Sequence, residues 1–220
     1  MSLHENQELK KEFQVERLAL FSDAVFAIAI TLLIIEVKIP QLTKPFTDHH
    51  LLEIMADEMV AKFIGFIVSF LVISVYWVTH HVLFSYLTNY SKKLVWSNLY
   101  FLFTIVLMPF SSGFYSEYWM SPLITPTAFY AINLTLSGLT LSRLWHVVAN
   151  PKNGMAATLP SPLKVRYYVT RALVAPAVFL VSLGAMFFNP TISYFIPLGI
   201  PIVFRIIRIY FKRKMPEGEI

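Results

Sequence analysis

The sequence contains no cysteine, and only 14% of its 220 residues are charged. Without cysteine the chain can form neither a disulfide framework nor a thiolate-bound metal or cluster. Soluble domains carry roughly 25% charged residues, whereas this chain is 56% hydrophobic and has a mean hydropathy of +0.61. The composition therefore predicts a membrane protein.

Glycine is also scarce, with seven residues that are not clustered. The sequence has no glycine-rich phosphate loop, no Ser-His-Asp arrangement with a nucleophile elbow and no His-Glu-x-x-His zinc motif. The Thr-Val-Gly-Tyr-Gly filter of ordinary potassium channels is absent as well. We therefore expect neither an enzyme nor a resident cofactor, and ion conduction would need a different kind of filter.

Long apolar segments occupy most of the chain. A helix needs about 20 mostly apolar residues to span a bilayer. Six stretches qualify: 18–37, 61–84, 94–112, 126–148, 168–188 and 190–211. They predict an all-α integral membrane protein, with residues 1–220 forming a single six-helix membrane domain.

Positive charge is distributed unevenly over the connections between these spans. One side carries Lys10, Lys11, Lys92, Lys93, Lys152, Lys164, Arg166 and the run from Arg205 to Lys214. The opposite side has few lysines and several acidic residues. The positive-inside rule then predicts that both termini lie in the cytoplasm, which agrees with an even number of spans. Scattered basic residues do not form a nucleic-acid-binding face.

The first span begins with polar groups, which are costly to place in the hydrocarbon region of a bilayer. Arg17, Ser22 and Asp23 lie in its first turns, and a charge at the bilayer centre costs about 2.5–3.5 kcal/mol even on the lenient insertion scale. An ionisable residue inside a spanning helix therefore marks a candidate functional site.

Polar side chains at a similar depth occur on the second and third spans. The candidates are Trp77, His80 and His81 on the second span, and Trp96 and Asn98 on the third. Buried polar groups need partners, so we predict one network that joins these side chains to Ser22 and Asp23, with Arg17 as a counter-charge. Spacing leaves open whether His80 or His81 enters it.

Two roles fit such a network. It can clamp the helices together by interhelical hydrogen bonds, or it can relay protons in a proton-coupled secondary transporter that uses Asp23 and His80 or His81. We favour the clamp because no further acid or histidine lies deeper in any span. A membrane scaffold that transports nothing is a third hypothesis.

Two apolar stripes run along the first span beyond Asp23. The first contains Ile28, Leu32 and Ile35, and the second contains Ile30, Ile34 and Val37. Asp23 shares the side of the second stripe, and Thr31 lies between the two. Periodicity alone leaves open which stripe, if either, lines a pathway.

The segment Arg17, Phe21-Ser22-Asp23 and the alanine-rich helix with Ile28 and Thr31 resembles the signature of the transmembrane-protein-175 family. These are lysosomal and endosomal potassium channels with shorter prokaryotic relatives. Animal members hold two six-helix repeats and act as dimers, so the resemblance implies a homotetramer for a single-repeat chain. It also implies the cytoplasmic (inner) membrane of a prokaryote and a preference for potassium over sodium that is only modest.

The resemblance further implies that the first helices of four subunits line one central pore. Ile28 would form the narrowest constriction, Leu32 and Ile35 would extend it outward, and Thr31 would place hydroxyls near the filter. Arg17, Phe21, Ser22 and Asp23 would hold the inner helix end against the histidine, Trp96 and Asn98. The permeant ions would be potassium, rubidium and caesium, because weakly hydrated cations enter a hydrophobic constriction more readily than sodium.

Overall fold

The structure is a computed structural model that describes residues 3–39, 44, 47–119 and 121–215. The described part is helical, and its only strand-like pairing is an isolated antiparallel bridge between Leu87 and Ala156. The helices are α1 (Leu3–Ile35), α2 (Asp48–Ile54), α3 (Val60–Phe84), α4 (Lys92–Val106), α5 (Met108–Glu117), α6 (Ile124–Ala149), α7 (Pro162–Met186), α8 (Pro190–Phe195) and α9 (Ile200–Lys212).

Within the described residues, five helical segments are long and apolar enough to cross a membrane. They are Lys10–Ile35, Lys62–Phe84, Lys92–Glu117, Pro162–Met186 and Pro190–Lys212. Helix α6 coincides with the predicted span 126–148 and has 26 residues, which is long enough to cross. Its serine, threonine and asparagine side chains make it less apolar than the others, so the sixth crossing stays a prediction.

Helix α1 extends far beyond the predicted span 18–37. It begins at Leu3 and runs for 33 residues, which corresponds to about 50 Å at 1.5 Å per residue. Its sequence contains neither glycine nor proline, so nothing in it breaks the helix before Ile35. Hydropathy finds only the apolar part of such a helix and therefore underestimates its length.

The prolines act at or near helix ends, with one exception. Helix α4 ends at Val106 and α5 begins at Met108, with Pro109 in its first turn. Pro197 lies in a 3₁₀ turn, Ile196–Gly199, and Pro201 lies in the first turn of α9. Among the prolines that the structure describes, Pro176 lies inside a helix, α7. The third and sixth predicted spans are therefore each divided into two helical pieces.

The pair Thr47-Asp48 predicts the start of a short helix in the connection between α1 and α3, and α2 begins there. Thr47 is the N-cap of α2, and its hydroxyl accepts a hydrogen bond from the His50 amide at 3.3 Å. A π-helical turn, Met55–Met59, then leads into α3. Pro40 and Pro45 predict a turn before this helix, and both lie outside the described residues.

Helix α1 packs against α3, α4 and α5 through one face. The buried residues of that face are Val15, Ser22, Phe26, Ala29 and Leu33, which recur at helical spacing. The opposite face of α1 has no covering element in the described chain, and its large apolar side chains are exposed. The candidate site lies on these two faces of α1, one packed and one exposed.

Candidate functional site on the first helix

The Ile28 stripe, defined as Ile28, Leu32 and Ile35, lies on the uncovered face of α1. These side chains are 60%, 41% and 66% exposed, although all three belong to the apolar part of the helix. Thr31 is exposed on the same face, and its hydroxyl donates to the Ile28 carbonyl at 2.9 Å. In the second stripe, Ile30 is partly buried and packs against the core, whereas Ile34 is exposed.

A chain of buried hydrogen bonds joins α1, α4 and α3 near the start of the apolar part of α1. The Asn98 side-chain amide donates to the Ser22 hydroxyl at 2.9 Å, and Ser22 donates to the Leu18 carbonyl at 2.8 Å. His80 Nε2 lies 2.8 Å from Asn98 Oδ1. Because an amide oxygen only accepts, His80 Nε2 carries the proton. We call Ser22, Asn98 and His80 the anchor.

Aromatic rings surround the imidazole of His80. Its centroid lies 4.2 Å from that of Phe84 and 5.6 Å from that of Phe101, both in stacked arrangements. Phe26 of α1 approaches the same ring at 5.6 Å. His80 is therefore fixed in the bundle interior, where its hydrogen bond to Asn98 is sheltered from competition by water.

Asp23 has a different partner from the anchor. The Trp77 indole nitrogen donates to Asp23 Oδ1 at 2.9 Å. The His81 ring lies 5.5 Å from the Trp77 ring, and His81 itself is exposed. The two adjacent histidines of α3 thus separate: His80 contacts the anchor, and His81 contacts the residue that holds Asp23.

Three predicted network residues lie outside these contacts. The Arg17 guanidinium is 5.8 Å from the Phe13 ring, and no ion pair joins it to Asp23 among the described residues. Arg17 and Phe21 instead line an open surface cavity of about 260 Å³. Trp96 is 58% exposed and lies beside Tyr100, with 6.1 Å between the rings.

A second buried polar network joins α3, α5 and α6, and the sequence reasoning missed it. The Ser69 hydroxyl lies 2.6 Å from that of Ser112 and 2.7 Å from that of Tyr130. One turn away, the Asn133 amide donates to the Ser111 hydroxyl at 2.9 Å. Serine and asparagine residues inside otherwise apolar spans could have indicated this network. Uncharged polar residues are a weaker sequence signal than charged ones.

Comparison with known proteins gives consistent matches. Residues 17–109 match the family described as endosomal/lysosomal potassium channel TMEM175; this range contains the anchor, Asp23, Trp77 and the Ile28 stripe. The chain is 34% identical over 131 residues to a potassium channel of Streptomyces collinus. It is 30% identical over 132 residues to one of a Chryseobacterium species.

These two alignments cover 59% and 60% of this chain and only 62% and 64% of the two relatives. A potassium channel of Chamaesiphon minutus is 27% identical, with 93% of this chain and 96% of the relative aligned. The crystal structure of a lysosomal potassium-selective channel TMEM175 homolog from the same organism superposes with a TM-score of 0.68 at 26% identity. That match covers 92% of this chain and 98% of the homolog.

The family match and the structural superposition both point to membrane channels of the TMEM175 kind. The apolar helices are long enough for such a protein to cross a membrane. Potassium channels of this kind are integral membrane proteins and not enzymes. The chain is an integral membrane protein whose residues 17–109 match the TMEM175 family and whose fold is similar to that of a TMEM175 homolog over most of its length.

Proposed function

We propose that this protein is a potassium-permeable cation channel of the prokaryotic cytoplasmic membrane. Four copies assemble with their α1 helices around a central pore. Each copy crosses the membrane six times, through α1, α3, the α4–α5 pair, α6, α7 and the segment from α8 to α9, with both termini in the cytoplasm. The Ile28 stripe forms a hydrophobic filter and gate.

The observation that carries this proposal is the uncovered Ile28 stripe. One face of α1 is held by a buried hydrogen bond from Asn98 to Ser22, while its opposite apolar face contacts no element of the described chain. Lipid would cover such a face, and so would copies of the same helix arranged around an axis. Because the relatives are potassium channels, we favour the second arrangement.

The chemistry of the stripe fits weak discrimination between cations. A ring of four isoleucine side chains offers no group that replaces the water a cation must shed, so a narrow ring closes by dewetting. Potassium, rubidium and caesium hold their water less tightly than sodium and cross such a ring at a lower cost. The expected preference for potassium over sodium is therefore modest.

The anchor and the Trp77–Asp23 pair support this role by fixing the rotation of α1. A hydrogen bond from α3 to Asp23 and one from α4 to Ser22 hold two neighbouring positions of α1. A rotation of α1 by one residue would turn the Ile28 stripe away by about 100°. In this proposal Asp23 is a structural residue and does not bind the permeant ion.

The test is cation flux in proteoliposomes under imposed gradients of potassium, caesium and sodium. We expect passive flux for the wild type, with Ile28→Asn reducing the potassium-to-sodium flux ratio because an amide can replace water of hydration. The matched control is Ile132→Asn on α6, since Ile132 is 58% exposed and Ile28 is 60% exposed. The control should leave the ratio unchanged.

Three outcomes would contradict the proposal. Flux coupled stoichiometrically to a pH gradient would indicate the transporter that uses Asp23 and the histidines. Absence of flux from a folded, tetrameric protein would indicate a scaffold. Equal effects of Ile28→Asn and Ile132→Asn would mean that the Ile28 stripe does not line the pathway.

A further inference from the structure

Helix α6 carries one charged residue that none of the motifs above includes. Arg143 is exposed, although it lies inside the predicted span 126–148. It is six residues before the end of α6 at Ala149, which is about 9 Å along the axis. An arginine at this depth is costly unless it meets an opposite charge or reaches the headgroups.

Arg143 opens onto a groove between α4 and α6. The groove has a volume of about 230 Å³ and is lined also by Ser97, Tyr100, Phe103, Leu136 and two threonines. The two threonine hydroxyls, those of Thr104 and Thr140, donate to carbonyls of their own helices at 2.7 Å. They therefore have no donor left for a ligand.

The other three polar side chains of the groove have unused donors. Across residues 3–39, 44, 47–119 and 121–215, no acceptor or acidic group pairs with Arg143, Ser97 or Tyr100. A guanidinium and two hydroxyls thus converge on one groove, and its remaining walls are apolar. This combination suits a ligand with an anionic oxygen-rich head and a hydrocarbon body.

The groove also lies at the right height for such a ligand. Ser97 is five residues after the start of α4 at Lys92, and Lys93 contacts Asn153 just beyond the end of α6, with 3.5 Å between the polar atoms. The groove therefore opens toward the basic end of the bundle. The exposed Phe103 and Leu136 side chains continue it toward the middle of the apolar region.

We propose that this groove binds an anionic phospholipid, with the lipid phosphate on Arg143, Ser97 and Tyr100 and an acyl chain along Phe103 and Leu136. Free phosphate fits less well because it leaves the apolar walls uncovered. A lipid satisfies both parts of the groove. The groove is lined by residues of α4 and α6 and by none of α1, and the proposal does not depend on channel activity.

The test is native mass spectrometry of the intact protein with phosphatidylglycerol or phosphatidylcholine titrated into the detergent. We expect the wild type to retain phosphatidylglycerol in preference to phosphatidylcholine. Arg143→Gln should weaken phosphatidylglycerol binding about fivefold to tenfold, as loss of one basic contact to an anionic headgroup implies. Tyr100→Phe should weaken it less, since it removes one neutral donor.

The matched control is Arg205→Gln, which removes the same charge from an exposed position on α9. It should leave the site's affinity for phosphatidylglycerol within about twofold of the wild-type value if the groove and not net charge selects the lipid. Equal losses in Arg143→Gln and Arg205→Gln would overturn the proposal in favour of nonspecific surface attraction. Unchanged lipid retention in Arg143→Gln, with fewer subunits per particle, would overturn it too and indicate that Arg143 pairs with a neighbouring copy.

Discussion

At the scale of single residues, Asn98 is the centre of the anchor. Its amide contacts both other members, Ser22 on α1 and His80 on α3, so one side chain fixes the relation of three helices. Asparagine suits this position because its side chain has a donor at one corner and an acceptor at the other. Aspartate would lack the donor, and leucine would lack both groups.

Asn98→Ala should lower the free energy of unfolding by about 1–3 kcal/mol. The substitution removes two buried hydrogen bonds and leaves the His80 Nε2–H without an acceptor. Unfolding in mixed detergent micelles, followed by circular dichroism, measures the loss. Thr104→Ala is the control, because the Thr104 hydroxyl bonds only to its own helix. Equal losses in the two variants would contradict the assigned role of Asn98.

Trp77→Phe and Asp23→Asn should have effects that do not add. Trp77→Phe removes the Trp77–Asp23 hydrogen bond and Asp23→Asn weakens it by replacing a charged acceptor with a neutral one. The double variant should therefore lose less stability than the sum of the single losses, by about 0.5–1.5 kcal/mol. The measurement is a double-mutant cycle of unfolding free energies. Strict additivity would show that the contact contributes nothing in the membrane protein.

The sequence predicted which helices meet at the anchor, but it left the choice of histidine open and added residues that lie outside these contacts. Ser22 and Asn98 were expected to meet one of the two histidines, and in the structure Asn98 contacts Ser22 and His80. Trp96 was expected beside Asn98, yet residues two apart on a helix point about 200° away from each other. Trp96 and Asn98 therefore cannot face α1 at the same time. Arg17 was expected to neutralise Asp23, but the two residues lie about 120° apart around α1, and the Trp77 indole donates to Asp23 instead. Which side chains meet depends on how each helix is rotated about its own axis, and packing determines that rotation.

At the scale of elements, helices α6 and α7 approach closely at Gly138. A Cβ atom built there would lie 2.7 Å from the Ala172 carbonyl oxygen and 2.8 Å from Pro176 Cγ. Small residues permit such approach between membrane helices. At the basic end of the same pair, the Trp145 and Tyr168 rings stack at 4.8 Å. Helices α6 and α7 therefore pack closely against each other, on the side of the bundle away from α1.

Gly138→Ala should destabilise the protein by about 1–3 kcal/mol, because the new methyl group meets backbone that must move. Gly184→Ala on α7 is the matched control, since nothing lies within 4 Å of its added Cβ. That variant should be neutral or more stable by up to about 1 kcal/mol, as alanine favours a helix. Thermal unfolding in detergent compares them. A stable Gly138→Ala protein would mean that the helices separate at little cost.

At the scale of the whole molecule, the described chain is a helical bundle that leaves the Ile28 stripe of α1 exposed. Composition and hydropathy predicted the helical class and most of its spans from the sequence. They did not predict the early start of α1 at Leu3 or the division of two spans into shorter helices. Those features depend on polar helix propensity and on where proline meets a packed neighbour. Hydropathy measures neither.

Asp23→Asn should shorten the lifetime of the proposed tetramer in detergent more than it changes the potassium-to-sodium flux ratio. The neutral amide is a weaker acceptor for the Trp77 indole, so the helix that forms the subunit contact loses its orientation. Light scattering after size-exclusion chromatography follows the number of subunits. A stable tetramer with altered ion preference would place Asp23 on the ion pathway.

The unbroken length of α1 has a mechanical consequence. A 33-residue helix without glycine or proline is a stiff rod whose two ends move together. Its apolar part needs only about 30 Å to cross the hydrocarbon, so about 20 Å of the rod projects beyond it. A ligand that tilts the projecting end tilts the Ile28 stripe by the same angle. In such a tilt, the helix pivots about the buried contacts of Ser22.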